Sequence, residues 1–300
     1  MNIQSLSIVV PTHGCMNQCK FCVSRMHKEE YPNLITEKYY LMKYHYINRM
    51  AFARDNGCNT VMLTGQGEPQ QNMEFLKKFG EMNKKLDKPF RNIEIQTTGA
   101  KFDIDMFMAL AEIGVTTVSF SVSCLNDNEI NSEIINGNHT PIDLKQLCTL
   151  AKAANMNVRL SLNMTKWLFV REDGKACAFP NYEDIFKYCC DVLKVDQVTF
   201  RKMYHNQNSQ QNEQARWIEE NSIISPTDWF KQLNEYITKN GRYLDTLEYG
   251  SKRYSVMGMS TVVDEDCMAK SEEKKALKYL ILRPNCKLYT QWDDKGSLLF

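Results

Sequence analysis

Six short apolar runs recur along the first two thirds of this chain, each followed by a stretch with helical periodicity. The runs lie at residues 6–10, 60–63, 93–97, 116–123, 158–163 and 197–201. Between them, Thr36-Glu37 opens a helix with Tyr40, Tyr44, Ile47 and Ala51 on one face, and Asn56-Gly57 closes it. Further helices are expected over 73–86, stopped near Pro89, over 104–113 with Gly114 behind it, and over 182–193. Thr140 as N-cap and Pro141 at the first helical position predict another over 142–154. This repetition predicts a parallel sheet with helices packed outside it.

The strands carry a second constraint. A parallel sheet covered by helices on both faces reads as continuous apolar sequence. Here Ile93 and Ile95 alternate with Glu94 and Gln96, Phe120 and Val122 with Ser121 and Ser123, and Leu160 and Leu162 with Ser161 and Asn163. Side chains change face at every residue of a strand, so one face is apolar and the other polar. The apolar face meets helices. The polar face is either a solvated surface or the concave wall of a cradle for a polar ligand, and crossover helices around the strands favour the cradle.

Beyond residue 201 the pattern loosens. Residues 206–214 are low-complexity and polar, expected as a mobile connector or, alternatively, a substrate lid. Pro226-Thr227 precedes a helix to about 238, and β-runs follow at 253–259, 277–283 and 287–292. The expected division is a core over 1–204 and a C-terminal extension over 205–300, a helix plus β-hairpin covering the core.

Lys and Arg total 37 against 36 Asp and Glu, a net charge of +1. No global basic field recruits nucleic acid or an acidic membrane. The N-terminus has no basic segment ahead of an apolar run, and no stretch is apolar for long enough to cross a bilayer. Eleven cysteines, an odd number in a long chain, predict reduced thiols and a cytoplasmic protein.

Three of those cysteines stand together directly after the first strand. Cys15, Cys19 and Cys22 have the spacing C-x3-C-x2-C. Three thiolates can grip one metal centre and leave a coordination position open. A zinc site with His13 as fourth ligand is the alternative. A glycine-rich turn, Thr64-Gly-Gln-Gly-Glu-Pro69, ends the second strand, where backbone can approach a ligand and Glu68 can receive an ammonium group. In α/β folds such strand ends are where sites form.

With these residues the chain resembles the radical S-adenosylmethionine (radical SAM) superfamily over about residues 6–201, and the tail after Tyr204 resembles nothing named. The resemblance rests on the C-x3-C-x2-C loop after the first strand with Phe21 before the last cysteine. It rests also on the glycine motif, here in its GxGEP form with Gln66 between the glycines, and on Thr97-Thr98-Gly99. It implies a partial (β/α)6 barrel of parallel strands, here with a C-terminal β-rich appendage. It implies that Cys15, Cys19 and Cys22 bind three irons of a [4Fe-4S] cluster whose fourth iron takes the amino and carboxylate groups of S-adenosylmethionine. Phe21 would lie near the adenine, and Gly65, Gly67 and Glu68 would hold the methionine amino group. Thr98, Ser121, Ser123 and Asn163 would contact the ribose and carboxylate, and Arg159 and Arg201 would pair with that carboxylate or with substrate.

The chemistry implied is reductive cleavage of S-adenosylmethionine to a 5′-deoxyadenosyl radical that abstracts hydrogen from a substrate, a peptide, protein or small metabolite. A low-potential donor, flavodoxin or ferredoxin, is implied with it. GxGEP also resembles RNA-modifying members, against which the neutral charge counts. A non-catalytic zinc-binding protein is the reading from another class.

Overall fold

The computed structural model describes residues 2–26, 36–168, 179, 181–203, 213–222, 228–247, 250–264, 276–292 and 295–300. Strand β1 (Asn2–Val10) leads into the cysteine loop, a single helical turn α1 (Val23–Met26) and α2 (Thr36–Asp55). Then follow β2 (Thr60–Gly65), α3 (Met73–Asn83), β3 (Asn92–Thr97), α4 (Ile104–Ile113) and β4 (Thr117–Val122). Two helices, α5 (Asn128–Asn136) and α6 (Leu144–Ala153), separate β4 from β5 (Asn157–Asn163). The helix α7 (Tyr182–Lys187) continues as a π-helical turn to Val192 before β6 (Gln197–Arg201). The tail holds α8 (Glu213–Asn221), α9 (Asp228–Asn240), β7 (Arg242–Thr246), β8 (Lys252–Val256), β9 (Met259–Asp264), β10 (Ala276–Leu282) and β11 (Leu288–Tyr289).

Local chemistry explains the boundaries. Asp103, Asp127 and Asp143 each accept a hydrogen bond from the backbone N–H three residues on, capping α4, α5 and α6. Gly114 and Gly137 close α4 and α5 at φ +104° and +64°, where a Cβ would be strained. The Asp143 cap starts α6 three residues past Thr140-Pro141, because a carboxylate that reaches an orphan N–H outweighs a proline that only fixes φ. The expected strand 253–259 is instead a hairpin: β8 turns at Met257-Gly258, both at positive φ, and returns as β9. On α2 the fully buried stripe is Tyr46, Met50 and Ala53; of the expected face Ile47 and Ala51 pack half-buried against the core, whereas Tyr44 projects at 69% exposure. Of the polar run 206–214, residues 206–212 lie outside the described residues, and Glu213 and Gln214 open α8.

The strands form one sheet in the order β11-β10-β1-β2-β3-β4-β5-β6-β9-β8-β7. From β10 to β9 every neighbouring pair is parallel. The tail therefore adds a parallel strand at each edge of the six-stranded core, and short antiparallel partners cap both. The sheet curls without closing. Lys278 Nζ on β10 reaches Asp264 Oδ1 on β9 at 2.7 Å, although these strands are not paired. Outside the curl, Leu6, Ile8, Val61, Leu63, Ile95, Phe120, Leu160 and Phe200 are buried under the helices. Each such side chain contributes about 1.5–3 kcal/mol by leaving water, so this layer holds the barrel and frees its inner face for polar residues. No helix among the described residues is long and apolar enough to cross a membrane.

Candidate active site

The inner face surrounds a cavity of about 540 Å³. Its wall is the polar half of the alternation: Ser5 and Ser7, Glu94 and Gln96, Ser119 and Ser121, Ser161 and Asn163, Thr199 and Arg201. Low in the barrel one set of these groups is matched. Arg159 Nη1 meets Glu94 Oε2 at 2.5 Å, and Arg159 Nε donates to Gln197 Oε1 at 2.8 Å. Glu94 thus neutralises Arg159 inside the barrel.

At the C-terminal ends of the strands the cysteine loop crosses the mouth, held from three sides. Gln18 and Lys20 donate backbone N–H groups to the Ile135 and Ile134 carbonyls at 3.0 Å, so the end of α5 is the shelf on which the loop rests. Gln71 accepts from the N–H of Met16 (3.0 Å) and of Glu68 (3.1 Å) and donates to the Gly14 carbonyl, while Asn72 Nδ2 donates to the Pro11 carbonyl at 2.7 Å. Gly67 presses against the loop so closely that a Cβ there would lie 2.6 Å from Gly14 O and 2.6 Å from Thr12 Oγ1.

Glu68 is the hub of the mouth. It is 6% exposed. Asn17 Nδ2 donates to Oε1 at 2.9 Å, Gln70 Nε2 to Oε2 at 3.1 Å, the Thr98 backbone N–H to Oε2 at 3.1 Å, and Thr97 Oγ1 also donates to Oε2. All these donors are neutral. A buried carboxylate with its lone pairs oriented and, among the described residues, no cation beside it suits a positively charged ligand. Asn17 also donates to Thr98 Oγ1 at 2.8 Å, and its own Oδ1 is buried without a partner.

Cys15, Cys19 and Cys22 converge beside this carboxylate. Burial pushes the Cys19 thiol well above its ordinary value, with the charges of Glu68, Cys22 and Cys15 adding to the rise. Burial also raises Cys15, against which the Asn17 N–H to sulfur hydrogen bond at 3.4 Å works. The sulfurs therefore feel each other, yet among the described residues no three His, Cys, Asp or Glu groups meet at one point as a single ion needs. His13 is exposed. Three cysteine sulfurs carried on one loop are the donor type that an iron–sulfur cluster takes. Among the remaining described cysteines Cys58, Cys124, Cys148, Cys189 and Cys286 are buried and Cys190 is half-buried; Cys177 and Cys267 lie outside the described residues.

Of the other expected residues, Phe21, Gly65, Gly67, Thr98, Ser121, Arg159, Asn163 and Arg201 line the same cavity, whereas Ser123 is fully buried behind Asn163. Asn163 Nδ2 donates to Ser121 Oγ and Ser123 Oγ, both at 3.1 Å, which joins the ends of β4 and β5. Phe21 packs on Trp217 of α8 at 6.1 Å between ring centroids, and Trp217 stacks on Trp167 at 5.8 Å. With Met203 these rings roof the mouth on the β6 side. Arg201 faces the cavity from β6. Asn17, Gln70, Gln71, Asn72 and Trp217 were not singled out in the sequence. The run Gln70-Gln71-Asn72 directly after the glycine motif was the available signal for three of them.

The radical SAM superfamily model matches residues 9–170, more than half of the chain. No curated protein matches. Among solved structures, Streptococcus suis SuiB bound to S-adenosylmethionine is similar with a TM-score of 0.57 and 16% identity, over 96% of this chain and 60% of SuiB. The structure described as native anSMEcpe with bound AdoMet and Kp18Cys peptide is similar with a TM-score of 0.60 and 14% identity, over 99% of this chain and 77% of that one. This chain thus spans about three-fifths of SuiB's length.

Proposed function

The chain belongs to the radical SAM superfamily, and on that premise we propose that its barrel mouth holds a [4Fe-4S] cluster on Cys15, Cys19 and Cys22 with S-adenosylmethionine beside it. Members of the superfamily are enzymes that use both groups. The observation that carries the reading is Glu68: a buried carboxylate, held by neutral donors, next to the three cysteines of the loop. When bound, the two groups supply reductive carbon–sulfur cleavage and hydrogen abstraction from substrate.

The residues of this chain bind and orient. Glu68 and the Gly65–Gly67 backbone receive the methionine ammonium group, and Asn17, Thr97 and Thr98 keep the carboxylate aimed before the ligand arrives. Thr98, Ser121, Ser123 and Asn163 present hydroxyl and amide groups to the ribose and the methionine carboxylate. Phe21, backed by Trp217, offers an aromatic surface to the adenine and shields the mouth from water. The free thiols among the described cysteines suit a reducing cytoplasm, where flavodoxin or ferredoxin would be the electron source. The substrate enters the barrel as a small molecule or as a side chain of a peptide. SuiB has been crystallised with its precursor peptide SuiA, which keeps peptides in view.

Anaerobic reconstitution with iron and sulfide tests the reading. The protein should turn brown, hold about four irons per chain as one cubane requires, and release 5′-deoxyadenosine slowly when given dithionite and S-adenosylmethionine. Cys19→Ala should lose both colour and product. A wild-type protein that takes up one zinc and no iron refutes the proposal.

A further inference from the structure

Among the described residues, the charges lining the cavity fall into matched sets except Glu68, Arg201 and, beside Arg201 in the chain, Lys202. Glu94 meets Arg159, Asp264 meets Lys278, and at the rim Asp245 meets Arg253. Glu68 lacks a cation and is the place proposed above for an ammonium group. Arg201 is its counterpart on β6: among the described residues no carboxylate pairs with it, and its Nε is buried without an acceptor. Its register neighbours are already engaged, Asn163 by two serines and Asp264 by Lys278.

Other polar atoms of the cavity wall share that condition. Ser161 lies one layer below Asn163 on β5, 5% exposed, and its hydroxyl has no partner. On β1, Ser7 Oγ and Gln4 Oε1 are likewise buried and unpartnered. All belong to the one cavity. An apolar substrate would strand every one of them, which is costly. The carboxylate of S-adenosylmethionine is a poor match for Arg201. It sits on the same carbon as the ammonium group, beside Glu68 after β2, whereas Arg201 stands on β6, four strands on in the sheet order and across the shared cavity.

We infer that the β6 side of the cavity, across from the cofactor position, binds a small polar substrate through an anionic group, carboxylate or phosphate, received by the Arg201 guanidinium with the Ser161 hydroxyl donating from one layer below. The inference rests on the cofactor reading, which fills the mouth and leaves this side to the substrate. A guanidinium is suited to either anion because its planar fork makes two parallel hydrogen bonds. The cavity has the size of a small-molecule site, and it is shared with the cofactor.

Isothermal titration of reconstituted, S-adenosylmethionine-loaded protein with inorganic phosphate, and separately with succinate, tests this. Saturable binding of one anion is expected, weakened about tenfold or more in Arg201→Gln, less in Arg201→Lys, and several-fold in Ser161→Ala, with native circular dichroism throughout. Preference for succinate names a carboxylate substrate, and preference for phosphate a phosphorylated one. Equal binding in wild type and Arg201→Gln, or no binding of either anion, overturns the inference. So does an Arg201→Gln protein that loses S-adenosylmethionine by the same factor, which would place the arginine on the cofactor. If the wild type takes up no cluster, the cofactor reading fails, and the same titration of the cluster-free protein still decides whether Arg201 holds an anion.

Discussion

Replacing Gly67 with alanine should disable the mouth and spare the barrel. The added Cβ would stand 2.6 Å from the Gly14 carbonyl oxygen and from Thr12 Oγ1, about 0.8 Å inside the 3.4 Å at which ordinary contact begins. The threonine hydroxyl can rotate away. The Gly14 oxygen cannot, because it is backbone. Nor can Gly67 retreat freely, since its neighbour Glu68 is tied to Thr97 and Thr98. The loop must therefore move, and Gly14 is the residue before Cys15. Overpacking of this kind costs about 1–3 kcal/mol, a minor part of the ~5–15 kcal/mol typical of a native protein. A displacement near 1 Å at a reacting centre costs about 100-fold in rate. Gly67→Ala should therefore keep its circular dichroism, melt a few degrees lower, and lose iron content or about 100-fold of its 5′-deoxyadenosine production. Gly14→Ala makes the comparison: its Cβ meets nothing within 4 Å, but φ is +93°, so it should cost backbone strain of about 1 kcal/mol and affect the cluster less. A Gly67→Ala protein with wild-type iron content and wild-type product formation would refute the claim that this contact places the cysteines.

Two further outcomes follow from the same geometry. Glu68→Gln keeps the shape but removes the charge, so the dissociation constant for S-adenosylmethionine, read by equilibrium dialysis, should rise about 10- to 100-fold, the equivalent of one charge-assisted hydrogen bond; an unchanged constant would remove Glu68 from ammonium binding. Lys278→Met leaves the Asp264 carboxylate, only 13% exposed, without its cation, and should cost about 3 kcal/mol in urea unfolding, with most of it recovered by adding Asp264→Leu; full stability in the single variant would show that the ion pair does not hold the seam.

How far the sequence could be read depended on the range of the interactions. The six core strands and the polar inner face were legible because alternation is a local signal, and Ile93-Glu94-Ile95-Gln96 states which side chain faces which layer. The helix α5 was missed because its buried face mixes Asn131, Ser132 and Asn136 with Ile134 and Ile135, so apolar periodicity does not mark it, and its start rests on the Ile130 N–H donating to the Asp127 carboxylate. That omission hid the shelf under the cysteine loop. The parallel pairings of β9 with β6 and β10 with β1 were not legible, because they join residues far apart in sequence and no local pattern records a partner. The cysteines and Glu68 could be named in advance, whereas the donors that orient Glu68 come from three separate places on the chain, Asn17, Gln70 and the adjacent Thr97 and Thr98.

The cavity divides along the same line. The residues proposed to hold cluster and S-adenosylmethionine run from Cys15 to Asn163, on β1 to β5, inside the part of the chain that the superfamily model matches. The opposite wall is built from β6, β8, β9 and β10, by Arg201, Arg253, Asp264 and Lys278, outside that part. The two halves also differ in their hydrogen bonding. Around Glu68 the donors are in place before any ligand arrives, so binding there needs little reorganisation. On the far wall Arg201 has nothing to receive, and a group of that kind discriminates harshly. Sites built to hydrogen-bond a substrate reject analogues lacking the partner by up to about 10⁴–10⁵, far beyond what a methylene's worth of apolar fit achieves. On the proposed reading, the barrel takes a constant reagent on one side and selects its substrate by charge on the other, so the strands of the tail, rather than the cysteine loop, are where a change of substrate should be sought.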